Sequence, residues 1–238
     1  MDADEVAARA RFSIERFYIK LQEVFPNLVA NFDAKWQAWQ EGISAESSNP
    51  SDWSSLPSFD ALLALGPKII PLVVYKVILK PEDATAIYLY TKLEKDPDCL
   101  PPSSLTTPQQ QSDSIALTNF HRNRNVRNLI TDWTEHCERV SRESNSIAYT
   151  ECEEYDKLWD LGQGIVPHLM LAYKTSLGND SAPLFWYDLL HEIIWGHKTG
   201  LRVIQFGVQA DLWVEWFDGG KGWEQAPKYK KAEEAAYH

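Results

Sequence analysis

The sequence predicts an all-α protein made of two diverged tandem copies of one helical unit. Apolar residues recur at three-, four- and seven-residue steps, which is helical spacing, while period-two alternation is scarce. A stretch of the chain also repeats itself at a constant offset of about 96 residues. Ser58-Phe59-Asp60-Ala61-Leu62-Leu63-Ala64-Leu65-Gly66-Pro67-Lys68-Ile69-Ile70-Pro71 aligns with Glu154-Tyr155-Asp156-Lys157-Leu158-Trp159-Asp160-Leu161-Gly162-Gln163-Gly164-Ile165-Val166-Pro167. The aromatic-Asp start, the leucines, the Gly and the Pro all coincide. With one added residue Tyr88 to Leu93 falls on Phe185 to Leu190, and upstream Trp36 falls on Trp133.

The first copy covers residues 3–97. Val6, Ala10, Phe17, Leu21, Val24 and Leu28 give one apolar helix face until Pro26, which removes a backbone donor and clashes with the preceding turn, forces a break. Leu28, Phe32, Trp36 and Trp39 carry a second helix towards Gly42. The spacing from Asp60 to Leu65 predicts a short helix ended by Gly66, the residue that best tolerates a left-handed cap. Pro71 suits the first turn of the next helix, where its missing N–H costs nothing.

Residues 98–111, rich in Pro, Ser, Thr and Gln, read as a linker or long loop. The second copy, 112–223, repeats the plan with a long helix from about Ser114 to Ser141 and another from about Ser146 to Leu161. Leu201 to Phe206 reads either as a strand or as an extended approach to a last helix holding Leu212, Trp213, Trp216 and Phe217. Residues 224–238 form a polar tail.

Leu-Gly-Pro-Lys-Ile-Ile-Pro-Leu at 65–72 and Leu-Gly-Gln-Gly-Ile-Val-Pro-His at 161–168 resemble the inter-helix turns of HEAT-like repeats. The chain departs from that family in its long insertions and in having two copies where solenoids use three or more. A compact pseudo-twofold HEAT-like domain is therefore expected rather than an open superhelix. The resemblance implies a binding scaffold without fixed chemistry.

Charge excludes some functions. With 34 acidic against 23 basic residues the net charge is −11, which repels a phosphate backbone, so no nucleic-acid partner is expected. His121-Arg122-Asn123-Arg124-Asn125-Val126-Arg127 carries too few arginines to reverse that. The acidic start lacks the basic-then-apolar pattern of a targeting peptide, and no apolar run reaches the ~20 residues of a membrane span. Cys99, Cys137 and Cys152 share no metal-ligand spacing and suit a reducing cytoplasm as free thiols. No metal and no cofactor is expected.

Motifs for chemistry are sparse. His191-Glu192-Ile193-Ile194-Trp195-Gly196-His197 opens like a zinc-protease helix, but Trp195 stands where the second ligand belongs, one helical turn from His191. Gly219-Gly220-Lys221-Gly222 lacks the spacing and hydroxyl of a phosphate-binding loop. Asp156 and Asp160 share a helix face, yet Asp60 occupies the place equivalent to Asp156, which points to helix capping rather than magnesium. Where the first copy has Leu72, Glu94 and Lys95, the second has His168, His191 and Glu192.

Two readings follow. In one, the chain is a helical binding module for a hydrophobic small molecule or a protein partner. In the other it is a cofactor-independent isomerase, cyclase or lyase for an apolar substrate, with His168, His191 and Glu192 as acid–base groups. Trp186, Tyr187, Trp195, Trp159 and His197 would then line an aromatic pocket in the second copy. The competing reading of both histidines is that they fill space and hydrogen-bond to backbone.

Overall fold

A computed structural model describes residues 3–46, 50–141, 146–176, 186–196 and 206–228, and these contain helices and turns but no strand. The helices are α1 (Ala3–Val24), α2 (Pro26–Glu46), α3 (Pro50–Trp53), α4 (Pro57–Leu63), α5 (Ile70–Leu79), α6 (Ala84–Leu93), α7 (Pro108–Val140), α8 (Glu153–Asp160), α9 (Val166–Ser176), α10 (Trp186–Trp195) and α11 (Phe206–Asp218). Pro26 opens α2 as the sequence requires, but α2 continues through Gly42. There a methyl group would meet the Leu56 side chain at 3.2 Å.

The longest helix organises the rest. α7 runs past α1, α5, α6, α8 and α9. It starts earlier than expected, because Thr107 accepts from the Gln110 backbone N–H while the Gln110 side chain accepts from Thr107, and Pro108 occupies the first helical position. Residues 108–111 are thus helix rather than linker, and Cys99 is buried. The helix expected from Ser146 onwards is instead a 3-10 turn, Ser146–Tyr149, followed by α8. Trp133 Nε1 donates to the Tyr149 carbonyl at 2.9 Å, and His136 Nε2 lies 2.8 Å from the Ala148 carbonyl. Those oxygens are therefore engaged by α7 side chains instead of extending a helical ladder.

The segments around Gly66 and Gly162 adopt parallel local shapes. Gly66 and Gly162 have φ of 69° and 66°, and each starts a 3-10 turn, Gly66–Ile69 and Gly162–Ile165, that leads into α5 and α9. Phe59, Leu62, Ile69 and Ile70 are buried, as are Tyr155, Leu158, Ile165 and Val166. Trp39, rather than the half-buried Trp36, resembles Trp133 in its surroundings. Both Trp39 and Trp133 are fully buried, and Trp39 Nε1 donates to the Trp53 carbonyl at 3.0 Å as Trp133 does to Tyr149. Each ring also rests on an aromatic of a later short helix, Trp39 on Phe59 of α4 at 5.2 Å and Trp133 on Tyr155 of α8 at 5.5 Å.

Asp60 and Asp156 lie in the first turns of α4 and α8, where a negative charge favours the helix dipole; the N-cap positions themselves are Leu56 and Cys152. α11 packs on α2, α9 and α10, and Asp218 caps α2 by accepting from Leu28 N at 3.0 Å. The Lys68 side chain, with no exposed surface, donates to the Trp216 carbonyl at 3.1 Å and to the Lys221 carbonyl, and lies 5.1 Å from the Trp216 ring. Burial lowers its pKa to about 8. Among the described residues no single helix is long and apolar enough to cross a membrane. Residues 201–205 and His197 lie outside the described residues, so the strand alternative and any relation of His197 to His191 do too.

Candidate functional site

α1, α7 and α9 pack against one another and leave between them a cleft of about 620 Å³. Each helix contributes residues at helical spacing: Arg9, Phe12, Ser13, Arg16, Phe17 and Lys20 from α1, Phe120, Asn123, Arg127, Ile130 and Thr131 from α7, and His168, Leu171, Ala172 and Thr175 from α9. Phe17 and His168 stack at the floor, with centroids 4.3 Å apart and planes 18° from parallel. At the surface Phe12 is 59 % exposed, with the Arg16 guanidinium 5.7 Å from its ring centre.

The lining has an unusual charge balance. It contains Arg9, Arg16, Lys20 and Arg127 but no Asp or Glu, in a chain where acids outnumber bases 34 to 23. Arg9 is held by Glu5 at 2.6 Å and Lys20 by Glu23 at 3.4 Å. Among the described residues neither Arg16 nor Arg127 has a carboxylate within ion-pair distance.

His168 is buried, and its Nε2 lies 2.8 Å from Asn123 Oδ1, an acceptor, so Nε2 carries the proton. Burial, then the charges of Arg122 and Arg127, lower its pKa to about 3. The imidazole is neutral throughout the physiological range. The three arginines of the 121–127 stretch thus have separate fates. Arg122 is buried against Glu94 at 2.7 Å, Arg124 is exposed, and Arg127 lines the cleft.

The other expected site residues lie elsewhere. His191 and Glu192 are buried on α10, where Tyr155 Oη donates to Glu192 Oε2 at 2.9 Å. Trp186 packs edge-on to Trp133 at 4.9 Å, and Tyr187 Oη is 2.9 Å from Tyr173 Oη. Trp195 donates to the Pro227 carbonyl at 3.1 Å and lies under Lys228 Nζ, 3.7 Å from its ring centre. Trp159 is half-buried against the core. None of these α8 and α10 residues lines the α1/α7/α9 cleft, so His168 faces one region and the His191–Glu192 pair another.

A sequence signal for the cleft exists on α1, where basic and aromatic residues alternate along one helical face without an acid. Phe17 also belongs to the apolar face that packs α1 on its neighbours, so the spacing alone does not single out the cleft. Among the described residues, His136, Cys152 and Glu154 could hold a metal, since their ligand atoms lie within 4.8 Å of one another. Both His136 nitrogens are already engaged, Nε2 with Ala148 O and Nδ1 with Arg139 at 2.9 Å, so a metal would have to displace one of them. Burial pushes the Cys99 and Cys137 thiols up to about 12, which keeps them protonated and unreactive.

No known family model matches the chain, and comparison with curated proteins and solved structures gives no significant match. The site is therefore read from its own residues.

Proposed function

We propose that this protein is a helical binding module that holds a hydrophobic small molecule in the α1/α7/α9 cleft. The carrying observation is the cleft itself. Its volume of about 620 Å³ lies within the range of small-molecule sites, roughly 300–1,000 Å³, and Phe12, Phe17, Phe120, Ile130 and Leu171 give it apolar walls. Ser13, Asn123, Thr131 and Thr175 add the few polar groups that orient a ligand.

The binding reading is preferred to the acid–base enzyme because of His168. A base with a pKa of about 3 provides little driving force for taking a proton at neutral pH, and His191 and Glu192 do not share its cleft. The scaffold is best understood as a duplicated, HEAT-like unit with copies over 3–97 and 112–223. Support comes from the paired left-handed glycines Gly66 and Gly162 and the matched indole bonds of Trp39 and Trp133. Three free cysteines suit a reducing compartment, and a cytoplasmic location is proposed on that basis.

Titration with the neutral fluorophore N-phenyl-1-naphthylamine tests the reading. Saturable binding that is lost in Ala172→Trp, where an indole fills the cleft, is the expected result, with circular dichroism confirming that the variant is folded. Absence of binding, or binding unchanged by the indole, would rule out the cleft as the site.

A further inference from the structure

We infer that the ligand of this cleft is an amphiphile with one anionic head group, held by Arg16 and Arg127 with its apolar tail along Phe120, Ile130 and Leu171. This rests on the cleft being a small-molecule site, and it adds the chemical class of the occupant.

The argument is one of charge placement. Arg16 precedes Phe17 in α1, and Arg127 is one turn beyond Asn123 in α7. Both side chains line the cleft: Asn123, one turn from Arg127, meets His168 at the floor, and the Arg16 guanidinium lies 5.7 Å from the Phe12 ring at the surface. Neither has a carboxylate partner among the described residues, and Arg16 and Arg127 both remain exposed. Two cations lining one cleft repel each other, and an anion bound in that cleft is attracted by both. Guanidinium forks match both carboxylate and phosphate oxygens, so both head groups satisfy the site. A protein of net charge −11 repels anions in general, so this face is where one can approach.

Calorimetric titration of the full chain with dodecanoate, dodecyl phosphate, dodecanol and dodecyltrimethylammonium, each below its micelle concentration, tests the inference. At least one anion should bind about tenfold or more tighter than dodecanol, with an affinity that falls as salt is added. The tighter of the two anions identifies the head group as carboxylate or phosphate. In the double variant Arg16→Gln/Arg127→Gln that preference should shrink to within about twofold while dodecanol binding is retained. Both side chains are exposed, so the fold should persist, and a thermal melt checks it. Equal binding of anion and alcohol, or a preference that survives the double substitution, would overturn the anionic head group and leave the hydrophobic site standing. Failure of all four probes to bind would overturn both.

Discussion

Phe17 lies flat on the His168 imidazole, 4.3 Å between centroids, and this stack joins the first helix of the chain to the ninth. It seals one face of a ring whose Nε2 already meets Asn123. The His168 pKa drops from 6.5 to about 3 because protonation would place a charge in a buried site near two arginines.

A pH dependence of stability follows, with a definite sign. Between the unfolded value of 6.5 and the folded value of about 3, the unfolded chain carries a proton that the native chain does not. Stability is therefore complete above about pH 6.5 and declines as pH falls, with a slope approaching ~1.4 kcal/mol per pH unit. His168→Gln should flatten urea-midpoint curves between about pH 6.5 and 5, above the range of most carboxylates. Parallel curves for the two proteins would mean that His168 titrates normally.

The Arg122–Glu94 pair gives a second prediction. Their side chains are 5 % and 1 % exposed, and Asp96 lies 3.7 Å from the same guanidinium. Arg122→Met strands a buried carboxylate and should cost about 3–5 kcal/mol in denaturant unfolding. Adding Glu94→Gln should recover much of that loss, since the uncompensated charge is then gone. Gly164 belongs to the same cluster, because a methyl there would meet the Arg122 guanidinium at 3.0 Å.

The left-handed glycines Gly66 and Gly162 should not respond alike. At Gly162 an added methyl meets nothing within 4 Å, so Gly162→Ala should cost only the backbone strain, about 1–2 kcal/mol. At Gly66 it would lie 2.6 Å from Trp223 Cβ, and Trp223 is tied down by its N–H bond to the Ala64 carbonyl at 2.7 Å. Gly66→Ala should therefore cost about 3 kcal/mol or more, measured by chemical denaturation. Equal costs would contradict the docking of the C-terminal segment on this turn.

Local chemistry was legible in the sequence wherever one residue decides the backbone. Pro26, Gly66, Gly162 and Pro71 mark breaks and turns that the structure contains, and the helical class follows from periodicity. Tertiary placement was not legible. Trp36 aligns with Trp133 in sequence, whereas Trp39 is the indole that bonds a carbonyl as Trp133 does, because side-chain placement is invisible to a spacing rule. His168 and His191 are 23 residues apart in sequence, yet His168 is stacked on Phe17 of α1, near the start of the chain. The cleft was missed for the same reason. Its walls come from residues separated by more than a hundred positions, and only packing brings Arg16 and Arg127 to one face.

The most direct measurement is a crystal structure of the protein with bromine-labelled dodecanoate, located by anomalous scattering. The chain should carry the bromine between α1, α7 and α9, with the carboxylate on Arg16 and Arg127. A ligand seated instead against Trp186 and His191 on α10, with the α1/α7/α9 cleft unfilled, would contradict the account.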